Sequence, residues 1–219
     1  MISINTYLEL IPSLLDGAKV TIQVLLWSLI FTFIIAFIAG LGKLSKWMVI
    51  RGISTVYIEI FRGTSLLVQL FWIYFVLPLF GMELSAMTAG VIAMSLCYGA
   101  YASEIVRGAI LSIPKGQYEA AIALNMTPFQ RMKNIILPQA FKIMLPGFGN
   151  ISIELIKGTA LVSLITLSDL TYQALTLRNT HVGLTTEIFL SLLILYFFIA
   201  LPLILFVRWM ERRVQVGRA

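Results

Sequence analysis

Five mostly apolar stretches, at 20–41, 56–80, 86–109, 141–167 and 188–207, constrain this chain more than any other feature. A helix rises 1.5 Å per residue, so about 20 apolar residues cross the roughly 30 Å of hydrocarbon in a bilayer. Only 12% of the 219 residues are charged, against roughly 25% in an average soluble domain. A soluble fold of this length cannot hide so much apolar surface, so the chain needs lipid as its solvent. The expected fold is an all-α membrane protein of about five transmembrane helices. No Gly/Ser-rich linker, low-complexity tract or internal repeat divides it, and residues 1–219 read as a single domain. The fourth stretch is the weakest. Pro146, Gly147 and Gly149 interrupt its start and predict a break, with the continuous part beginning near Asn150.

Basic residues choose the orientation, because they collect in cytoplasmic connections. Lys43, Lys46 and Arg51 lie between the first two stretches. Arg107, Lys115, Arg131, Lys133 and Lys142 lie between or beside the third and fourth, and Arg208, Arg212, Arg213 and Arg218 follow the fifth. The opposite side holds only Lys19 and Arg178. The expected topology has its N-terminus outside and its C-terminus inside. The net charge of +6 is then a topology signal, which excludes nucleic acid as a partner. The first twenty residues carry Glu9 and Asp16 but no basic n-region. The first helix is therefore expected to act as its own insertion signal rather than as a cleaved leader. Cys97 is the single cysteine, sits in an apolar run and reads as core filler.

The most informative polar segment is 112–139. Ser112 is placed to cap a helix with Pro114 in its first turn. Helix formers run through QYEAAIAL at 117–124, and Asn125 tolerates the left-handed backbone that ends helices. Thr127 and Pro128 repeat the cap-and-proline start, and a second helix is expected to run to about Leu137, ahead of Pro138. Neither helix is apolar enough to span. The segment reads as an elbow on the cytosolic face, suited to docking another protein or to serving as an interfacial linker.

Glu119-Ala120-Ala121, three residues, Asn125, nine residues and then Ile135-Ile136-Leu137-Pro138 resembles the EAA loop of ABC-importer permeases. That family usually has glycine where Asn125 stands, and asparagine is the next most tolerant of left-handed geometry. The resemblance extends along nearly the whole chain, through the LLDGAKVT run ending at Thr21, FRGTSLLVQ at 61–69, YGAYASEIVRG at 98–108 and NISIELIKGTAL at 150–161. Together these motifs resemble the polar amino-acid (His/Gln/Arg/Glu-type) uptake family of type I importers, with ectoine-like compatible solutes as further cargo. The resemblance implies a multi-pass protein of the bacterial plasma (inner) membrane. Its implied partners are two ATPase subunits, a second permease subunit and an extracytoplasmic solute-binding protein. ATP and Mg would be bound by the ATPase partners, with no cofactor in this chain. Glu119, Ala120, Ala121, Asn125 and Arg131 would form the docking elbow. The two alanines would be small so that the helix lies close in the ATPase cleft, and Glu119 would pair with a basic group there.

Three charge pairs share one spacing, Glu59/Arg62, Glu104/Arg107 and Glu154/Lys157. Residues three apart lie on one helix face, so each pair can neutralise itself. They read either as interfacial clasps or as part of a pathway for a zwitterion, since intramembrane charges usually face a cavity. Glu154 and Lys157 are the foremost pathway candidates, lying at the edge or about 18 Å deep depending on where the fourth span starts. Gln69, Tyr98, Tyr101, Glu104, Ser103 and Thr159 add polar atoms to the same spans, as helix–helix bonds or as path lining. His181, in the outer 168–187 loop, reads as a solvated residue.

No P-loop, H-E-x-x-H, G-x-S-x-G or cysteine–histidine metal spacing occurs, so neither catalysis nor a metal site is expected. The rival reading is a stand-alone secondary transporter or channel for small polar solutes. Such transporters often carry matched broken helices in inverted halves, and five spans do not divide evenly.

Overall fold

The computed structural model describes residues 4–215, with side chains over 11–213. Every regular element among the described residues is a helix, with no strand among them. Among the described residues four helices, Ile11–Lys43, Ala86–Leu111, Pro128–Ile165 and Val182–Arg213, are long and apolar enough to cross a membrane, and a bent pair, Met48–Gly63 with Leu66–Phe80, passes the same test when taken as one span. Arg218 lies outside the described residues.

The first helix, α1 (Ile4–Lys43), starts earlier than the apolar pattern alone suggests. It packs along α4 (Ala86–Leu111) through small residues. Ala36, Ala102 and Val106 are fully buried between the two. A Cβ on Gly40 would sit 2.7 Å from the Ser103 carbonyl oxygen. Lipid supplies no hydrophobic drive for helix pairing, so close contact through small side chains does the work of association.

The stretch at 56–80 is not one straight span. It is α2 (Met48–Gly63) and α3 (Leu66–Phe71), the latter continued by a π turn at Trp72–Val76 and a 3-10 turn at Leu77–Phe80. The two halves meet at 105° across Thr64 and Ser65. The Gln69 side chain holds the break. Its amide nitrogen donates to the Phe61 carbonyl at 2.9 Å and to Thr64 Oγ1 at 2.8 Å, occupying groups that the α2 end leaves free.

The break expected at Pro146 is absent. The short α6 (Pro128–Arg131), a π turn at Met132–Ile136, α7 (Leu137–Gly158) and a 3-10 stretch at Thr159–Ile165 form one long helix. Pro138 does not end the elbow's second helix either. The switch to i→i+5 bonding falls in the turn ahead of Pro138, where the missing N–H interrupts the α ladder in any case. Gly147 and Gly149 mark close packing: a Cβ on Gly147 would lie 2.7 Å from Ile105 Cγ2, and one on Gly149 would collide with Val207.

Residues 168–187 are not a loop. They contain α8 (Leu170–Thr180), wedged between α1 and α9 (Thr185–Gln215). Asp169 caps α8, accepting from the Tyr172 and Thr171 N–H groups at 2.9 and 3.2 Å. It is fully buried, and burial pushes its pKa up to about 6. His181 follows α8 and is exposed, as its loop-like setting suggests.

Candidate functional site

Two places carry chemistry: the elbow at one end of the bundle and a band of polar groups within it.

The elbow is built from local bonds. Its first helix, α5, runs Lys115–Ala123. Ser112 does not cap it; that hydroxyl closes α4 by donating to the Ala109 carbonyl at 2.8 Å, and Pro114 takes the N-cap position. Asn125 adopts φ +54°, the left-handed turn its residue type favours. Around it Met126 N–H donates to Ala121 C=O at 3.1 Å and Asn125 N–H to Ile122 C=O at 2.9 Å, the paired bonds of a Schellman ending. Two residues later Thr127 and Gln130 form a reciprocal capping box that starts α6. Termination and restart within three residues fix the elbow angle. Gln139 Nε2 donates to Gln117 Oε1 at 3.1 Å and ties its two limbs together.

Side-chain directions revise part of the expected docking set. Glu119, Ala120 and Asn125 are exposed, and Arg131 is half-buried. Ala121 is fully buried within the chain itself. The tip instead presents Ile122, Leu124 and Phe129, exposed by 56%, 73% and 74%. Sequence reasoning missed these three. Apolar residues in a mixed segment look like core until the turn direction is known.

Of the three i,i+3 charge pairs, only Glu104/Arg107 closes, at 2.9 Å; the described side chains hold no ion pair between Glu59 and Arg62 or between Glu154 and Lys157. Glu104 also receives Lys43 Nζ at 2.7 Å, and Lys43 lies 3.6 Å from Glu59. The clasp therefore runs across α1, α2 and α4, through a lysine that the sequence places in a connection.

Glu154 and Lys157 are both exposed on the side of α7. The helix runs unbroken from Pro128 to Ile165, so both lie well inside it and not at a helix end. Beside them Tyr98 donates to the Glu154 carbonyl at 3.1 Å, bridging α4 and α7. Tyr101 donates to the Arg62 carbonyl at 3.3 Å, and the Arg62 guanidinium lies 5.4 Å from the Tyr101 ring centre, a cation–π distance. Gln69 is buried in its structural role at the α2–α3 break, with only its carbonyl oxygen unpartnered. Ser103 and Thr159 bond within their own helices, to Ala100 and Ile156. No group of three or more metal-ligating side chains occurs among the described residues.

Helices long and apolar enough to cross a membrane, two of them joined through a helical elbow, define a multi-pass membrane protein. The chain belongs to the binding-protein-dependent transport system inner membrane component family, whose profile matches residues 32–216. It is 50% identical over 208 residues to a probable amino-acid ABC transporter permease protein, y4tF, of Sinorhizobium fredii, covering 92% of this chain and 87% of that one. It is 39% identical over 204 residues to the L-cystine transport system permease protein TcyB of Bacillus subtilis, covering 93% and 87%. A crystal structure of an amino acid ABC transporter with histidines superposes with a TM-score of 0.88 at 34% identity, covering 97% and 99%. The chain is thus an ABC-type permease subunit of the inner membrane, and a transport component rather than an enzyme.

Proposed function

We propose that this permease forms, with a second permease subunit, the path by which a polar or charged amino acid or similar zwitterion enters the cell. One observation carries this reading. Glu154 and Lys157 present opposite charges to the outside of a single subunit deep within a span, where lipid cannot solvate them. A second subunit that encloses them makes an aqueous path whose wall offers one group of each sign. Tyr98, Tyr101 and Glu104 border that path. The amino-acid permeases among the relatives support the solute class.

Energy enters at the elbow. Two ATPase subunits, each binding ATP and Mg, dock on the elbows at 112–139 through Glu119, Ala120, Asn125 and Arg131. An extracytoplasmic binding protein delivers solute to the opposite face. The N-terminus lies outside and the C-terminus inside, as the basic residues favour. Closure of the ATPases moves the elbows together and swings the spans from inward- to outward-open. A stand-alone transporter has no use for such an elbow.

Uptake of labelled amino acids by cells carrying Glu154→Gln or Lys157→Met tests the path. Each variant is expected to lose at least about tenfold in uptake efficiency with normal membrane levels, the loss of one charge-assisted contact to the solute. Unchanged KM and maximal rate in both would remove these residues from the path.

A further inference from the structure

A second feature lies away from the charged surface. Three cavities of about 550, 510 and 260 Å³ meet at Leu96 and form one groove along α4, between α1 and the broken α2–α3 span. The groove exists because the 105° bend carries α3 away from α2 and leaves the α4 surface uncovered beside α1. Its walls are Trp27, Ile35, Ile38, Ile53 and Ile92, and no charged residue lines it. From Ile38 to Trp27 it follows α1 for about 16 Å at 1.5 Å per residue, close to the hydrocarbon depth of one leaflet, half of roughly 30 Å.

One end of the groove is basic. Past Ile38 and Ile53 lies the α1–α2 turn, where Lys46, Trp47 and Arg51 are exposed. Lys43 in the same turn is spent on Glu104, but neither Lys46 nor Arg51 pairs with a carboxylate among the described residues. Trp47 is 74% exposed, in the manner of the tryptophans that sit at headgroup level. An apolar slot one leaflet deep, ending at an interfacial tryptophan and two free cations, matches a lipid from tail to headgroup.

We infer that this groove is a binding site for an anionic phospholipid, with an acyl chain lying along Leu96 and the headgroup phosphate held by Lys46 and Arg51. A second copy of the chain does not fit this face as well. α7, which carries the exposed charges that need a protein cover, supplies none of the groove lining, and the groove holds no charged side chain to pair with one on a second copy.

Native mass spectrometry of the purified full chain tests this, with phosphatidylglycerol and phosphatidylcholine of identical acyl chains supplied together. Wild type is expected to retain phosphatidylglycerol over phosphatidylcholine by about tenfold, since each basic residue near an anionic headgroup adds a severalfold preference. Lys46→Gln with Arg51→Gln removes the preference and leaves residual lipid. Ile38→Trp, which fills the groove at an exposed and tolerant position, removes the bound lipid. Equal retention of the two lipids by wild type, or a wild-type preference in either variant, overturns the assignment. So does disulfide capture of two copies through Ile38→Cys and Ile53→Cys in a Cys97→Ala background, since it puts a second subunit where the lipid belongs.

Discussion

Gly40→Leu is expected to abolish assembly of the bundle. The glycine lets α1 approach α4 so closely that its absent Cβ would lie 2.7 Å from a backbone oxygen and 2.8 Å from Val106 Cβ. Neither neighbour can move without shifting α4, whose Ala102 and Val106 are fully buried at the same contact. Inserting a whole side chain exceeds the about 1–3 kcal/mol of ordinary overpacking, against a total stability of only about 5–15 kcal/mol in a typical domain. Gly52→Ala is the matched control, because nothing lies within 4 Å of a Cβ there. Detergent-extracted protein on size exclusion should show the control as a symmetric peak and Gly40→Leu as aggregate or nothing. A normal peak for Gly40→Leu would mean that the two helices are not packed this tightly.

Glu104→Leu carries the next largest effect. The carboxylate sits between Lys43 Nζ at 2.7 Å and Arg107 at 2.9 Å, with only about a fifth of the Lys43 and Glu104 side chains exposed. Removing it leaves two cations facing each other in a partly dry site, with Glu59 at 3.6 Å from Lys43 the one remaining counter-charge among the described residues. Breaking a fully buried pair costs about 3–5 kcal/mol, and residual exposure brings this site to about 1–3 kcal/mol. Thermal melting of the extracted protein should fall by several degrees for Glu104→Leu and by less for Glu104→Gln, which still accepts from Lys43. Equal melting of Glu104→Leu and wild type would show that the cluster is solvated.

The clasp also marks the limit of what the sequence reveals. The i,i+3 pairs were visible in the chain, but the partner that matters, Lys43, lies 61 positions from Glu104, and no local spacing points to it. Turn chemistry was legible because its causes are local: Asn125 goes left-handed and Thr127 builds its capping box from neighbouring residues. Pro146 misled for the opposite reason. Flanking helices hold α7 together through the proline, as they do in many membrane bundles, and the nearby glycines accommodate Ile105 and Val207. The 105° bend went unseen because Gly63 and Thr64 are weak local signals and Gln69, which stitches the break, looked like path lining. The composition of the elbow was readable as well. Which of its faces is exposed was not, so Phe129 escaped notice.

ATP hydrolysis in lipid nanodiscs tests the central claim most directly, with the chain co-expressed beside its ATPase and supplied with the solute-binding protein and candidate polar amino acids. Glu119 is exposed on the elbow. Wild type is expected to hydrolyse ATP faster when the loaded binding protein is added, and Glu119→Lys to remain at the unstimulated rate while running normally on size exclusion. Stimulation that survives Glu119→Lys, or a chain that passes solute with no ATPase present, would contradict the account.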